Sequence, residues 1–537
     1  MWHVEPIDET AANALAGQLL IAPPLARVLI VRGYRTPEPA RRFLDPRLAD
    51  LHPAADLPDM AGAVDRICAA LHRKEPILVW GHEDLDGVSS VVCLRETLRD
   101  LHGVTSHYIP AKGAERHGLN PTRLREFAQQ GVRLVITVDC GITNVEETSE
   151  IRSSGVDVII TDHHEVLDKL PGATAVVDPK RPDSRYPFPS LAGVGVALKA
   201  ALAVAQHELG VTAEEFFSAK PELLTMAALG SIADRVPLID ENRILVRFGL
   251  EQMRRTRLVA LLAVLDACGI QAHEVTVSRF VSDLMPLFAS ADGNTSVEMF
   301  LSDDPAVARS WVRSLWDRYQ AWREEAKNTL AYAEQLVDLA PGIIFVRSER
   351  LSLRALGHCA SKLKDEYLLP VVVMGKRGNE WVGECRGVDG VNLVDLLKAN
   401  ARYFRDFGGH AKACGFTISD ERVEAFIADA KDYAARSFAG RITETRDAKP
   451  EAAVHLSEVA DDFRRLSPLG EGNPAPVLIS PATPLECRDG QVFCPVAPQL
   501  RIVADGPALL GPGDYDVLYE LDDNLMVRIK GVHANRS

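Results

Sequence analysis

The sequence predicts an α/β protein. A parallel-sheet domain is followed by a long helix, a second α/β unit and a small C-terminal β domain. Three observations predict this. Apolar strand-like runs at 77–80, 134–138, 156–160 and 174–177 alternate with helical segments such as 88–101 and 121–130, the pattern of βαβ units on a parallel sheet. Residues 305–338 hold one long helical pattern. The last stretch, 476–537, carries short alternating runs (Leu500-Arg-Ile-Val, Tyr515-Asp-Val-Leu-Tyr, Met526-Val-Arg-Ile) separated by turn residues, as in a small β domain.

In chain order, residues 1–75 open with an amphipathic segment carrying Leu15, Leu19, Leu25 and Leu29, then the Pro-punctuated FLDPRLADLHPAADLPDM. This reads as an ordered lead-in packed on the parallel-sheet domain that follows at 76–300. Ser302-Asp-Asp-Pro305 is a helix-start signal, and a connecting helix is expected within 301–340. Trp311, Leu315, Trp322, Ala326 and Leu330 share one face of it, and an apolar stripe of this kind packs on neighbours more readily than it stacks on bases. Strands at 342–346 and 370–374 around a helix at 353–366 define the second α/β domain, 341–440. The polar stretch 440–452 reads as a linker, and 450–537 as the terminal β domain. No internal repeat or low-complexity tract is present.

The 537 residues carry a formal net charge of −15, with 47% hydrophobic and 25% charged residues. That is ordinary globular composition. The acidity disfavours a sequence-independent nucleic-acid coat, which needs a basic surface. It leaves room for an enzyme whose carboxylates are offset by bound cations. MWHVEPIDET lacks a basic segment followed by an apolar one, so no secretory signal is expected. No apolar stretch approaches the ~20 residues of a membrane span. The nine cysteines are dispersed with no Cys-x-x-Cys pair, which fits reduced thiols in the cytoplasm.

Chemistry-bearing residues gather at strand ends. Ile77-Leu-Val-Trp-Gly leads into His82-Glu-Asp84-Leu-Asp86-Gly87, Leu134-Val-Ile-Thr-Val into Asp139-Cys-Gly141, and Val156-Asp-Val-Ile-Ile into Thr161-Asp162-His163-His164. Ligands of parallel sheets bind beyond the carboxyl ends of the strands. Each aspartate alone would read as a turn or N-cap residue; three clusters in this order read as one metal site. Asp84, Asp86 and Asp139 offer oxygen, His82 and His163 nitrogen, a set suited to manganese, iron, cobalt or zinc and less to magnesium. Gly87 permits a tight turn into a helix whose N-terminus favours anions. Asp234, inside LGSIADRVPLIDENR, is a further acidic candidate. Lys112, Arg116, Lys180, Arg181 and Arg386 lie near these motifs and could meet phosphates, although each alone also reads as a solvated surface cation. Gly408-Gly409-His410 offers backbone N–H groups and an imidazole.

These residues resemble the DHH phosphoesterase superfamily, named for the triplet Asp162-His163-His164, and within it the RecJ single-strand-specific exonucleases. The likeness spans nearly the whole chain: the lead-in, ITVDCGI (136–142), TDHHE (161–165), YPFPSLAGVGVALK (186–199), GSIADRVPLIDENR (230–243), FGGHAKACGF (407–416) and LSPLGEGNPAPVL (466–478). It implies a two-metal site, Mn2+ first and Mg2+ as alternative. Asp139 would bridge the ions, His82 and Asp84 complete one, and Asp86, His163 and Asp234 the other. His164 would face the scissile phosphate, with Asp162 orienting the pair. It also implies a terminal oligonucleotide-binding (OB-like) barrel, in-line hydrolysis of single-stranded DNA from its 5′ end to 5′-mononucleotides, and a cytoplasmic, membrane-free monomer of DNA repair and recombination. Single-strand-binding protein and a helicase are the partners it suggests.

Three segments depart from the family. His82 stands where RecJ proteins usually have Asp. Leu287-Phe-Ala-Ser-Ala-Asp-Gly-Asn294 replaces a segment resembling RINAAGR and lacks its arginines. Glu384-Cys-Arg386-Gly replaces an SGRS-like stretch, keeping one arginine. The catalytic residues are kept while the substrate track has drifted. Rival readings are a phosphodiesterase of short oligoribonucleotides or cyclic dinucleotides, and a non-catalytic replication scaffold.

Overall fold

The computed structural model describes residues 2–111, 118–167, 169–288, 291–438, 449–488, 491–504 and 513–534. The chain forms two compact units, one of Met1–Leu315 with Lys449–Ser537, the other of Trp316–Ala448.

The first unit is built on five parallel strands: β1 (Ile77–Gly81), β2 (Thr105–Tyr108), β3 (Leu134–Val138), β4 (Asp157–Thr161) and β5 (Ala175–Val177), in the order β2-β1-β3-β4-β5. The central strands are buried on both faces, which explains their unbroken apolar runs. Leu78, Trp80, Val135, Val158 and Ile160 pack with Leu124 and Ile151 of the helices Pro121–Gln129 and Val145–Ser153. The opposite face is covered by the helices Met60–Arg73, Leu85–Asp100 and Gly193–Leu209, with Pro221–Ala233 packed behind the last two. The four apolar runs of the sequence are the four inner and edge strands β1, β3, β4 and β5. The expected helix at 88–101 begins three residues earlier, at Leu85, because Asp84 caps it by accepting from the Gly87 amide at 2.9 Å. β2 has no counterpart in the sequence reading. Thr-Ser-His-Tyr is a polar edge strand, exposed enough to need no apolar run.

From β1 the chain steps to β2 on one side, then crosses to β3 on the other. The sheet therefore has its topological switch point between β1 and β3, where a crevice opens at the carboxyl ends. His82–Asp86 and Asp139 sit at that crevice.

The lead-in helices Glu9–Leu19, Pro23–Val31 and Pro37–Leu44 share one core with the C-terminal strands β12 (Ala452–Ala453), β13 (Val477–Arg488), β14 (Gln491–Phe493), β15 (Ile502–Ala504), β16 (Gly513–Leu521) and β17 (Val527–Ala534). Leu15, Leu25, Leu29 and Phe43 pack in the same cluster as Leu478, Val517, Tyr519 and Val527. The strands run in the order β12-β13-β16-β17-β15, with β14 paired to β13; among the described residues this is an open path. Buried Arg243 ties the segment 465–468 to the catalytic sheet's helices. Its guanidinium donates to the carbonyls of Phe43, Arg465, Leu466 and Ser467 at 2.7–2.9 Å. Buried Asn473 donates to Leu466 and Pro468 carbonyls and accepts from Arg32. The GEGNP segment thus acts as a clasp. Among the described residues no single helix is long and apolar enough to cross a membrane.

The second unit holds a six-stranded sheet, β10-β11-β9-β8-β7-β6: β6 (Asp338–Ala340), β7 (Ile343–Arg347), β8 (Val371–Arg377), β9 (Glu380–Arg386), β10 (Phe404–His410) and β11 (Ala413–Ser419). Leu356–Tyr367 covers one face and Val423–Ser437 the other. The long helix runs Pro305–Ala333, shorter than the 305–338 expected, because Asp338–Ala340 pairs antiparallel with β7. Its Trp322, Ala326 and Leu330 pack with Leu356 and Cys359 in the unit's core, and Trp311 and Leu315 are buried. β9, β10 and β11 escape the sequence reading because glycines interrupt their apolar pattern: Gly383 and Gly415 make room for the Phe416 ring and the β9 backbone. The polar stretch at 440–452 lies largely outside the described residues.

Candidate metal centre

Three strand ends and two helices converge on one cluster. Asp139 ends β3 in the left-handed region, φ +60°, which an aspartate tolerates better than most side chains. Its amide still donates to Thr161 at 3.0 Å, while the turn through Gly141 (φ +115°) swings the carboxylate over the sheet's end. His82 Nδ1 lies 3.1 Å from Asp84 Oδ2 and 3.7 Å from Asp139 Oδ2. His163 Nε2 lies 3.1 Å from Asp139 Oδ1 and 3.6 Å from Asp234 Oδ2. Three overlapping groups could each hold an ion, their ligand atoms within 4.8 Å of one another: His82, Asp84 and Asp139; Asp86, His163 and Asp234; and Asp139, His163 and His164.

The supporting bonds orient these donors. His163 Nδ1 lies 3.0 Å from the Leu191 carbonyl oxygen. A carbonyl only accepts, so Nδ1 carries the proton and Nε2 is the basic nitrogen. Asp162 Oδ1 accepts from His164 Nδ1 at 2.7 Å and from the His163 amide at 2.7 Å, and Oδ2 accepts from the Ile142 amide at 2.9 Å. Asp86 is clamped by the first turn of Gly193–Leu209: the Gly193 and Val194 amides donate to its two oxygens at 2.8 and 2.9 Å. A Cβ on Gly193 would stand 2.5 Å from Asp139 Oδ1, and one on Gly230 2.6 Å from Asp86 Oδ1. Both glycines are therefore required by close approach to a carboxylate.

The charge balance of this cluster calls for cations. Burial, then Asp86, Asp84 and Asp234, raise the Asp139 carboxyl well above the usual range; burial and Asp234 do the same to Asp86. Burial, then Asp84, push Asp234 up to about 7. Asp84, on the exposed side of the crevice, is held below the usual range by His82, against the desolvation of its crowded surroundings. Burial opposes charge on His164, yet its bond to Asp162 raises it to about 9. Asp139 Oδ2 is buried with no hydrogen-bond donor among the described residues. A buried acceptor without a donor, beside imidazole nitrogen and further carboxylates, fits a divalent cation.

The remaining sequence candidates separate. Lys180 stands beside the cluster: its amide donates to Asp178 Oδ1 at 2.7 Å and its ammonium lies 3.6 Å from Glu165. Arg181 is held by Asp59, Asp183 and the Val176 carbonyl, its side chain 9% exposed, the arrangement of a structural clamp. Lys112 and Arg116 lie outside the described residues, as do 289–290 of the drifted segment. In the second unit, β11 brings Arg386 and His410 into one register row, since Ala413 pairs with both. Arg386 bonds Glu384 and the Cys385 carbonyl, and Gly408 and Gly409 lie on the edge strand β10.

Sequence reasoning missed Asp178. It is buried, its Oδ2 has no donor among the described residues, and burial followed by Asp162 pushes it up to about 8. It also missed the Gly193 and Val194 amides, which the YPFPSLAGVGVALK motif alone could have signalled.

A parallel sheet with carboxylates and imidazoles at its switch point, followed by a mixed second sheet, defines a DHH-type protein. Residues 76–231 match the DHH family N-terminal domain and 341–436 the DHHA1 domain. The single-stranded-DNA-specific exonuclease RecJ of Bacillus subtilis is 33% identical over 88% of this chain and 61% of its own length. That of Thermus thermophilus is 31% identical over 91% of this chain and 70% of its own. The crystal structure of Thermus thermophilus RecJ in complex with Mn2+ superposes with a TM-score of 0.81 at 25% identity, covering 99% of this chain and 79% of that one. The chain belongs to the RecJ family. It spans about three fifths of the length of the Bacillus relative.

Proposed function

We propose that the chain is a metal-dependent exonuclease that hydrolyses single-stranded DNA from the 5′ end to 5′-mononucleotides. The observation that carries this reading is a pair of ligand groups, His82–Asp84–Asp139 and Asp86–His163–Asp234, brought together where His163 Nε2 lies 3.1 Å from Asp139 Oδ1. His82, Asp84 and Asp139 would hold one divalent cation, and Asp86, His163 and Asp234, with Asp139 shared, a second. Two such ions, Mn2+ first and Mg2+ as alternative, supply Lewis acidity and a nucleophile at neutral pH when bound.

The protein's own groups do the rest. The Gly193–Val194 amides fix Asp86, and the Leu191 carbonyl fixes the His163 tautomer. Asp162 holds His164 as an imidazolium at neutral pH, where it can offset the charge of a phosphodiester. Lys180 adds a second cation beside the same crevice. Arg386 and the Gly408-Gly409-His410 strand end are the second unit's own candidates for a phosphate contact. The reading places the protein in the cytoplasm, as a monomer in repair and recombination, with single-strand-binding protein and a helicase as partners.

The test is manganese-supported digestion of 5′- and 3′-labelled single-stranded DNA, duplex DNA and short RNA. Early release of the 5′ label as mononucleotide from single strands is expected. Early loss of the 3′ label, preference for dinucleotides, or no hydrolysis of any substrate would overturn the proposal, the last pointing to a scaffold.

A further inference from the structure

A second constellation of ligand atoms lies on the other side of the catalytic unit, at the far end of the helix that clamps Asp86. The helix Met60–Arg73 places Cys68 and His72 one turn apart on a common face. The last turn of Gly193–Leu209 presents His207 and Glu208 beside them, before Gly210 ends that helix in the left-handed region. The ligand atoms of Cys68, His207 and Glu208 all lie within 4.8 Å of one another. His72 Nε2 stands 2.9 Å from Glu208 Oε2.

We propose that Cys68, His207 and Glu208, with His72 as fourth ligand or as hydrogen-bond support to Glu208, form a metal site for a thiophilic divalent ion of the zinc class. Sulfur, nitrogen and oxygen donors together select such ions over magnesium, calcium or manganese. Three protein ligands with a fourth position for His72 or water is a common zinc arrangement. A histidine hydrogen-bonded to a ligating carboxylate is the usual outer support of such a site. Both helices bring their C-terminal turns to this point, and the negative ends of their dipoles favour a cation there. Cys68 is buried while His72 and His207 are exposed, so an ion can enter from solvent and reach the sulfur. On binding, the Sγ–H proton passes to solvent as the sulfur–metal bond forms.

The chemistry differs from that of the catalytic cluster, whose ligand groups contain no sulfur. The two lie at opposite ends of a 17-residue helix, about 25 Å at 1.5 Å per residue. The site's effect is therefore to staple the end of the lead-in to the helix whose start holds Asp86.

Cobalt(II) titration of the full chain tests this. A thiolate-to-cobalt charge-transfer band in the near ultraviolet is expected, its amplitude corresponding to one cobalt beyond those taken by the catalytic cluster. It should persist in Asp139→Ala and vanish in Cys68→Ser. His207→Ala changes an exposed side chain and so keeps the fold; it should weaken cobalt binding at this band by about tenfold or more. Zinc retained after dialysis should fall by one equivalent in Cys68→Ser, with manganese-supported activity unchanged. Absence of the band in the parent chain, its survival in Cys68→Ser, or equal zinc content in both would overturn the proposal.

Discussion

His163 donates from Nδ1 to the backbone carbonyl of Leu191, 3.0 Å away. This one bond decides which nitrogen is basic, and aims it at Asp139 and Asp234. An asparagine can keep the donor to Leu191 but has no atom where Nε2 stands. His163→Asn is expected to fold, to lose activity by about 10²-fold, and to need more manganese for half-maximal rate. A manganese titration of nucleotide release checks this, and an unchanged half-maximal concentration would remove His163 from the ligand set.

Asp139 is where stability and function conflict. Its carboxyl is raised well above the usual range by burial and by its acidic neighbours. Folding of the metal-free chain is therefore favoured by protonation here, and that contribution is lost as pH rises through the raised value. Asp139→Asn is expected to melt higher than the parent chain without metal at neutral pH, to lose the stabilisation that manganese confers, and to be inactive by about a hundredfold or more. Melting curves with and without manganese, alongside a nucleotide-release assay, test all three. A parent-like manganese response in the variant would refute the bridging role.

Asp162 controls His164 through a 2.7 Å bond. His164 is raised to about 9, so its positive charge persists through neutral pH and is lost as pH climbs through that value. Asp162→Asn should lower the rate by roughly 10–100-fold. It should also shift the alkaline limb of the pH–rate profile down toward the ordinary imidazole value of about 6.5. A lower rate with an unmoved limb would reduce Asp162 to a packing role.

Asp178 is pushed up to about 8 by burial and Asp162. Its protonated form stabilises the fold fully below the ordinary carboxylate range, and this is lost as pH rises through about 8. An amide is the neutral isostere. Asp178→Asn should nearly match the parent's melting temperature near pH 3 and exceed it by a margin that grows to roughly a few degrees near pH 9 without metal. Equal melting at both pH values would sink the assignment.

Gly193→Ala puts a methyl group 2.5 Å from Asp139 Oδ1. The chain should still fold, because alanine suits a helix start, while half-maximal manganese rises about tenfold. Parent-like metal dependence would mean that the carboxylate moves freely.

The site was legible where it follows from sheet geometry. Asp84, Asp86, Asp139 and Asp162 each follow an apolar run, and parallel strands present their carboxyl ends together. Asp178 also follows an apolar run, 174–177, and was passed over because Asp-Pro reads as a turn signal. The backbone groups of Leu191, Gly193 and Val194 carry no side-chain signature at all. Arg181 and Arg243 show the reverse limit: a cation in a sequence says nothing about whether its partners are phosphates, carboxylates or carbonyls. In the fold, β2 and β9–β11 went unread because edge polarity and interspersed glycines break the period-two pattern.

The core shared by Leu15, Leu25 and Phe43 with Leu478, Tyr519 and Val527 sets an order of events during synthesis. The lead-in's apolar faces emerge first, yet their partners are translated more than four hundred residues later. At about 5–20 residues per second they wait tens of seconds uncovered. The nascent chain thus carries an aggregation-prone arm until the strands β12–β17 arrive, and a ribosome stalled before Ala452 leaves that arm without those partners.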